Sequence, residues 1–219
     1  MNRQSRKSDI FFDLDGTLLE SKSRVFQLFT DLTSQHTINF DEYWKLKKSG
    51  LDNNRILLNN LSFSEDAIKD FWVKWFEKIE SEAYLNFDVV FPNSIEVLLE
   101  LKESGFAMHI VTARKNQVNT LRQIERSFPA DLFSSIHVTK TSGAKREAIL
   151  SIKSNPNSFD VMVGDTDYDI QTGRSLGIKT IAVLSGFRSE EILKSAKPDV
   201  IIAGIAEMKP ALKELGWLI

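Results

Sequence analysis

The sequence contains no cysteine. Disulfide bonds, thiolate catalysis and cysteine-ligated zinc are therefore excluded, and any bound metal must rest on oxygen or imidazole ligands. No apolar run approaches the ~18–20 residues of a membrane span. The opening MNRQSRKSD leads into only three apolar residues, fewer than a signal peptide needs, so the expected setting is cytoplasmic. A dominant charge is also missing. With 28 basic against 30 acidic side chains there is no global field to draw the chain to nucleic acid or an anionic membrane, and neither is expected as a partner.

Familiar ligand-binding patterns are absent as well. No GxGxxG follows a strand, and Gly143-Ala144-Lys145 lacks the upstream glycine of a phosphate-binding loop. A calcium-binding loop needs Gly at its sixth position and Glu at its twelfth. Counting from Asp13, those positions hold Leu18 and Arg24; counting from Asp165, they hold Ile170 and Leu176. The three histidines, His36, His109 and His137, are scattered, and the latter two are expected as strand residues serving the core or hydrogen bonds. Neither repeats nor low-complexity tracts occur, and Arg3, Arg6 and Lys7 read as a solvated tail.

What is present is ample apolar material, 42% of 219 residues, enough for one large domain or a core with an insertion. Short β-rich runs at 10–12, 106–111, 135–139, 161–163 and 180–184 are apolar on both faces. That pattern predicts parallel strands covered by helices on either side. Helical stretches begin near Asn93, Lys115, Ala144, Tyr168 and Ser189, and Pro92 suits a helix start. The alternation predicts an α/β fold with an open sheet, in which ligands bind beyond the carboxyl ends of the strands.

The rhythm breaks between Leu19 and Leu85, where no convincing strand is found. Val25, Phe26, Leu28, Phe29 and Leu32 form one helical stripe; Phe71, Trp72, Trp75, Phe76 and Ile79 form another. This predicts an inserted helical bundle over 19–85, with the core made from 1–18 and 86–219. Its aromatics are expected to pack its interior.

The strand ends carry the chemistry. Asp13-Leu14-Asp15-Gly16-Thr17 follows the first run, Thr112-Ala113-Arg114 the second, and Gly164-Asp165-Thr166-Asp167-Tyr168-Asp169 the fourth. Lys140 and Lys145 lie in and beyond the loop after Thr139. Each piece alone has an ordinary structural use as a turn, a cap or a solvated charge. Together they gather too many acids at one edge. Two carboxylates ~4 Å apart repel by roughly 4 kcal/mol at an effective dielectric of ~20, so the cluster calls for a cation, and a hard oxygen-seeking ion such as Mg2+ fits best.

DLDGTL, VTAR, a lysine at a helix start and GDTDYD, in this order, resemble the haloacid dehalogenase superfamily of phosphohydrolases. The insert after the first motif resembles the subclass with an all-helical cap, which includes phosphoglycolate phosphatase and β-phosphoglucomutase. The resemblance implies a Rossmann-like core and a magnesium-dependent phosphoric monoester hydrolase acting on a small phosphorylated metabolite. It implies Asp13 as a nucleophile forming an aspartyl-phosphate and Asp15 as general acid and base. It further implies Thr112 and the backbone at Ala113 as phosphate binders, and Lys145 as the charge-neutralising lysine, with Lys140 as the alternative. The metal ligands would be Asp165 and Asp169, joined by Asp13 and the backbone carbonyl of Asp15, with Asp167 outside that set. Gly16 would let the chain turn so that both carboxylates face the site.

Asp15 favours phosphate chemistry over dehalogenation, since the dehalogenases of this superfamily lack the second acid. A phosphosugar mutase is the nearest alternative, followed by a phosphonate hydrolase and a non-catalytic binding protein. Within the insert, SGLDNNR (residues 49–55) is the expected specificity loop, with Arg55 the candidate for a substrate's second anionic group. Lys45, Lys47 and Lys48 are expected on a solvated face.

Overall fold

The computed structural model describes residues 8–33 and 38–217. The basic tail with Arg3, Arg6 and Lys7, and His36, lie outside the described residues. Strands β1 (Asp9–Phe12), β4 (Ala107–Ala113), β5 (Ser135–Thr139), β6 (Val161–Gly164), β7 (Lys179–Val183) and β8 (Val200–Ile202) form a parallel sheet ordered β5-β4-β1-β6-β7-β8. The short strands β2 (Leu19–Glu20) and β3 (Val89–Val90) pair antiparallel, Leu19 opposite Val90. They tie together the two chain segments that lead into and out of the insert.

Both faces of the sheet are covered, which explains the continuous apolar runs. Ile10, Phe12, Ile110, Val161 and Val163 pack on one face with α6 (Ser94–Glu103) and α11 (Met208–Glu214). Phe11, Val111 and Met162 point the other way, toward Ile149 of α8 (Lys145–Ile152). Ile170 of α9 (Asp167–Ser175) packs with Ala182 and with Leu193 of α10 (Glu190–Ser195). Strand β8 escaped the sequence reading because three residues show no period, and two-residue β2 and β3 escaped it for the same reason. β2 also places a strand at the start of the stretch expected to hold none.

The winding leaves β1 toward β4 and β5 on one side and toward β6, β7 and β8 on the other. The carboxyl ends of β1, β4 and β6 therefore border a crevice at the switch point, the position where such sheets bind ligands.

Between 22 and 85 the chain forms α1 (Lys22–Thr33), α2 (Phe40–Lys48), α3 (Asn53–Leu61), α4 (Glu65–Lys78) and α5 (Glu82–Leu85). Their starts are chemically marked. Asn39 and Glu42 make a reciprocal capping box, while Asp52 and Ser64 each accept a backbone N–H. Lys45, Lys47 and Lys48 fall in the last turn of α2, where the helix dipole favours cations. Leu28, Phe29, Tyr43, Trp44, Ile56, Leu57, Phe71 and Trp75 close a second apolar core separate from those of the sheet. The aromatic stripes thus pack the insert's interior as expected, although Phe76 remains half exposed.

Candidate active site

Asp13 follows β1 directly, and its backbone N–H still donates to Val163 O at 2.9 Å, so the sheet itself fixes the carboxylate's position. Lys145 opens α8 after the single 3-10 turn Ser142–Ala144. Its buried ammonium donates to Asp13 Oδ1 at 2.6 Å and Asp169 Oδ1 at 2.7 Å. Asp169 is held by the Thr166 capping box, with its Oδ2 accepting from Thr166 Oγ1 at 2.6 Å. Asp165 Oδ2 accepts from the Phe187 N–H at 2.7 Å, whereas the buried Oδ1 has no hydrogen-bond partner among the described residues.

Asp13, Asp165 and Asp169 each offer one oxygen within 4.8 Å of the others. Three buried carboxylates against one ammonium leave two formal negative charges uncompensated. An orphaned buried oxygen is costly, and an all-oxygen donor set suits a hard divalent cation. The residues therefore fit the cation that the sequence calls for, with the Asp15 carboxylate outside the trio.

Burial raises Asp13 to about 7; the charges of Asp169 and Asp15 add to the rise, and Lys145 opposes it. Asp165 is raised well above the usual carboxylate range, by burial first and then by Asp13 and Asp169. Burial alone would lower Lys145, but the two carboxylates it touches outweigh it and hold the ammonium charged.

Glycines make room for the acids. Gly16 has φ of +78°, a left-handed backbone, and a Cβ there would strike the Asp165 carboxylate. Gly186 needs no unusual φ, but a Cβ on it would overlap Asp165 too. Gly186→Ala is accordingly expected to displace Asp165, costing ~1–3 kcal/mol of stability from overpacking and on the order of 10²-fold in kcat/KM from misplacement. Thermal melting and kinetics check both; unchanged kinetics would mean that Asp165 tolerates the shift.

Asp15 sits in a different environment. Its carboxylate accepts from Ser21 Oγ at 2.6 Å, from Arg24, and from Arg114 in a two-pronged contact at 2.6 and 2.7 Å. Asp88 completes the ring, accepting from Arg24 Nε at 3.0 Å, Gln123 Nε2 at 2.9 Å and Arg114 Nη2 at 3.3 Å. Burial would raise the Asp15 pKa, but the guanidiniums of Arg114 and Arg24 outweigh it and hold it well below the usual carboxylate range. In this arrangement the Asp15 carboxylate, expected as general acid and base, is engaged by α1 and by the residue after β4.

Thr112 is buried near the end of β4, and Ala113 closes the strand. Of the two lysines, the structure brings Lys145 to the acids and leaves Lys140 exposed. Arg55 lies exposed in the first turn of α3 with no ion pair among the described residues. Lys47, expected on a solvated face, is half-buried, and desolvation and then the charge of Arg188 lower it to about 8. Asp167 stands outside the trio, as expected, and pairs with Arg188 Nε at 3.1 Å. His109 bonds Asp9 and Ser135 at 3.0 and 2.8 Å, a hydrogen-bonded role in keeping with the sequence reading.

Arg24, Asp88, Gln123, Lys47, Arg188 and Gly186 were not singled out as site residues. Arg24 carried one signal, being a charge one position from Val25 and two from Phe26 in an apolar stripe; the others carried none.

The architecture is that of the haloacid dehalogenase-like hydrolases. A haloacid dehalogenase-like family protein from Streptococcus pneumoniae superposes with a TM-score of 0.76 at 21% identity, covering 94% of this chain and 98% of that one. A predicted phosphoglycolate phosphatase from Haemophilus somnus superposes with a TM-score of 0.73 at 20% identity, covering 95% and 99%. The chain itself belongs to this family, whose haloacid dehalogenase-like hydrolase model matches residues 10–183. Among sequence relatives, pyrophosphatase PpaX of Oceanobacillus iheyensis is 25% identical over 206 residues, covering 91% of this chain and 94% of its own. No helix among the described residues is long and apolar enough to cross a membrane.

Proposed function

We propose that the protein is a magnesium-dependent phosphatase that hydrolyses a small phosphorylated metabolite through an aspartyl-phosphate. The observation that carries this reading is the buried trio Asp13, Asp165 and Asp169 with Lys145 bonded to two of its members. Asp13 is the nucleophile: its carboxylate bonds to phosphorus as the ester oxygen leaves. Thr112 Oγ1 and the Ala113 N–H bind phosphoryl oxygens, and Lys145 offsets the gathered negative charge. Mg2+ held by Asp13, Asp165, Asp169 and the Asp15 carbonyl would supply charge neutralisation and polarise the phosphoryl group.

Asp15 gives a proton to the leaving oxygen and then takes one from the water that splits the acyl phosphate. Its ionised state between Arg24 and Arg114 suits the second of these steps. The first requires that the contact with Arg24 loosen, and since Arg24 belongs to α1, movement of the helical cap is the natural source of that loosening.

Phosphomonoesters are one substrate class. The similarity to PpaX supports a second, inorganic diphosphate. Purified protein assayed for phosphate release from both classes, with and without Mg2+, tests the reading. Release that needs Mg2+ and disappears with chelator is the expected result; no release from any substrate would overturn it.

A further inference from the structure

Lys47 is the penultimate residue of α2 and half-buried. Its ammonium makes one hydrogen bond, 3.4 Å to Asn53 Oδ1, a neutral oxygen that already accepts the Tyr43 hydroxyl at 2.9 Å. It has no ion pair among the described residues. Across the boundary between cap and sheet domain is Arg188, whose charge bears on Lys47 and whose Nε meets Asp167 at 3.1 Å, with no hydrogen bond from its terminal nitrogens among the described residues.

Contacts around Arg188 tie this part of the boundary together. The rings of Trp44 and Phe187 stack at 5.2 Å, Ser189 N–H donates to Lys48 O at 3.1 Å, and Phe187 N–H donates to Asp165 Oδ2 at 2.7 Å. Phe187 thus bonds Asp165 and stacks on Trp44, while Ser189 reaches Lys48, so the loop that carries Arg188 is tied both to Asp165 and to the helix that carries Lys47.

Burial penalises the Lys47 ammonium, and Arg188 penalises it further, with only partial relief from Asp52. With Lys47 in no ion pair among the described residues and Arg188 bonded only to Asp167, the two cations are short of negative charge. They are at ease only when an anion joins them.

We propose that Lys47 and Arg188 form a second anion subsite at the boundary of cap and core, taking the second anionic group, phosphoryl or carboxylate, of a substrate whose first phosphate lies at Asp13 and Lys145. The inference rests on the phosphatase reading for the first phosphate. It assigns selectivity to Lys47 in place of Arg55, and it favours doubly anionic substrates over esters of neutral alcohols.

The test uses three non-hydrolysable ligands titrated calorimetrically at fixed excess Mg2+: imidodiphosphate, phosphonoacetate and singly anionic-headed methylphosphonate. The proteins are wild type, Lys47→Met, Lys47→Arg and Lys48→Met. Lys48 is the control for general positive charge, being the next residue of α2 and lining a cavity of about 560 Å³ with Lys22, Lys45 and Ser189.

The wild type is expected to bind at least one doubly anionic ligand more tightly than methylphosphonate, and the ligand so favoured names the anion. Lys47→Met should cut that preference at least tenfold, Lys47→Arg should restore most of it, and Lys48→Met should change it less than twofold. Lys47→Met should also melt at a higher temperature without ligand, because a penalised charge has been removed. An equal loss on methylphosphonate, no loss at all, or the same loss in Lys48→Met overturns the subsite. Binding is read without turnover, so the two readings fail separately. Selectivity without hydrolysis would overturn the phosphatase reading and leave the subsite standing, and hydrolysis without selectivity would do the reverse.

Discussion

Asp13→Asn is expected to lower kcat by at least about 10⁴-fold, or roughly 5.5 kcal/mol of barrier, while the protein still folds. An amide has the size of the carboxylate and keeps an oxygen for Lys145, which already holds Asp169 at 2.7 Å. It lacks the charge and the nucleophilicity needed to attack phosphorus. Circular dichroism and melting should be close to wild type, and residual turnover should not respond to the phosphate ester's concentration in the wild-type manner. Near-wild-type release of phosphate by this variant would remove the covalent mechanism, leaving Asp13 as a metal ligand only.

Asp165→Asn is expected to reverse the usual sense of an active-site lesion by stabilising the metal-free protein. Asp165 and Asp13 are both raised in the folded state, Asp13 to about 7. A raised carboxyl stabilises the fold fully below its unfolded pKa of ~3.9 and loses that contribution as pH climbs through the folded value. Chelated wild type should therefore lose stability between about pH 4 and 8 relative to the variant, whose amide does not titrate. At pH 8 the gap should be about 3 kcal/mol, the order expected for removing one uncompensated buried carboxylate. Adding Mg2+ should raise the melting temperature of wild type and do little for Asp165→Asn. Parallel melts across pH with chelator and with Mg2+ measure this; identical pH dependence in both proteins would show that the trio is not repulsive, and an equal Mg2+ response would remove Asp165 from the ligand set.

The contrast between Asp13 and Asp15, two residues apart, shows where local sequence stops being informative. DLDGT announces paired acids at a strand end, and the pairing is real. Their environments diverge because Asp13 meets Lys145 and two acids, whereas Asp15 meets arginines from α1 and from the end of β4. Arg24 and Arg114 are 90 residues apart in number and join only when the insert docks on the sheet. No spacing rule connects them.

By itself the sequence determined the α/β alternation, the helical interruption and the edge at which the acids collect. Each depends on a local period: both-face apolar runs for buried parallel strands, 3.6-residue stripes for the insert, polar residues after successive strands. Which lysine reaches Asp13 was decided only by the tertiary structure. Lys140 and Lys145 share one connection, but Lys145 opens α8 over the crevice and Lys140 faces solvent. The tertiary structure likewise decided that Asp165 is clasped by Gly16 and Gly186, that Arg55 lies exposed at the start of α3, and that Lys47 is half-buried under the charge of Arg188. The physical reason is common to all of these. Burial, charge pairing and room for a carboxylate are properties of neighbours brought together across 20 to 170 residues of chain, and a one-dimensional pattern carries the faces of elements but not the faces they meet.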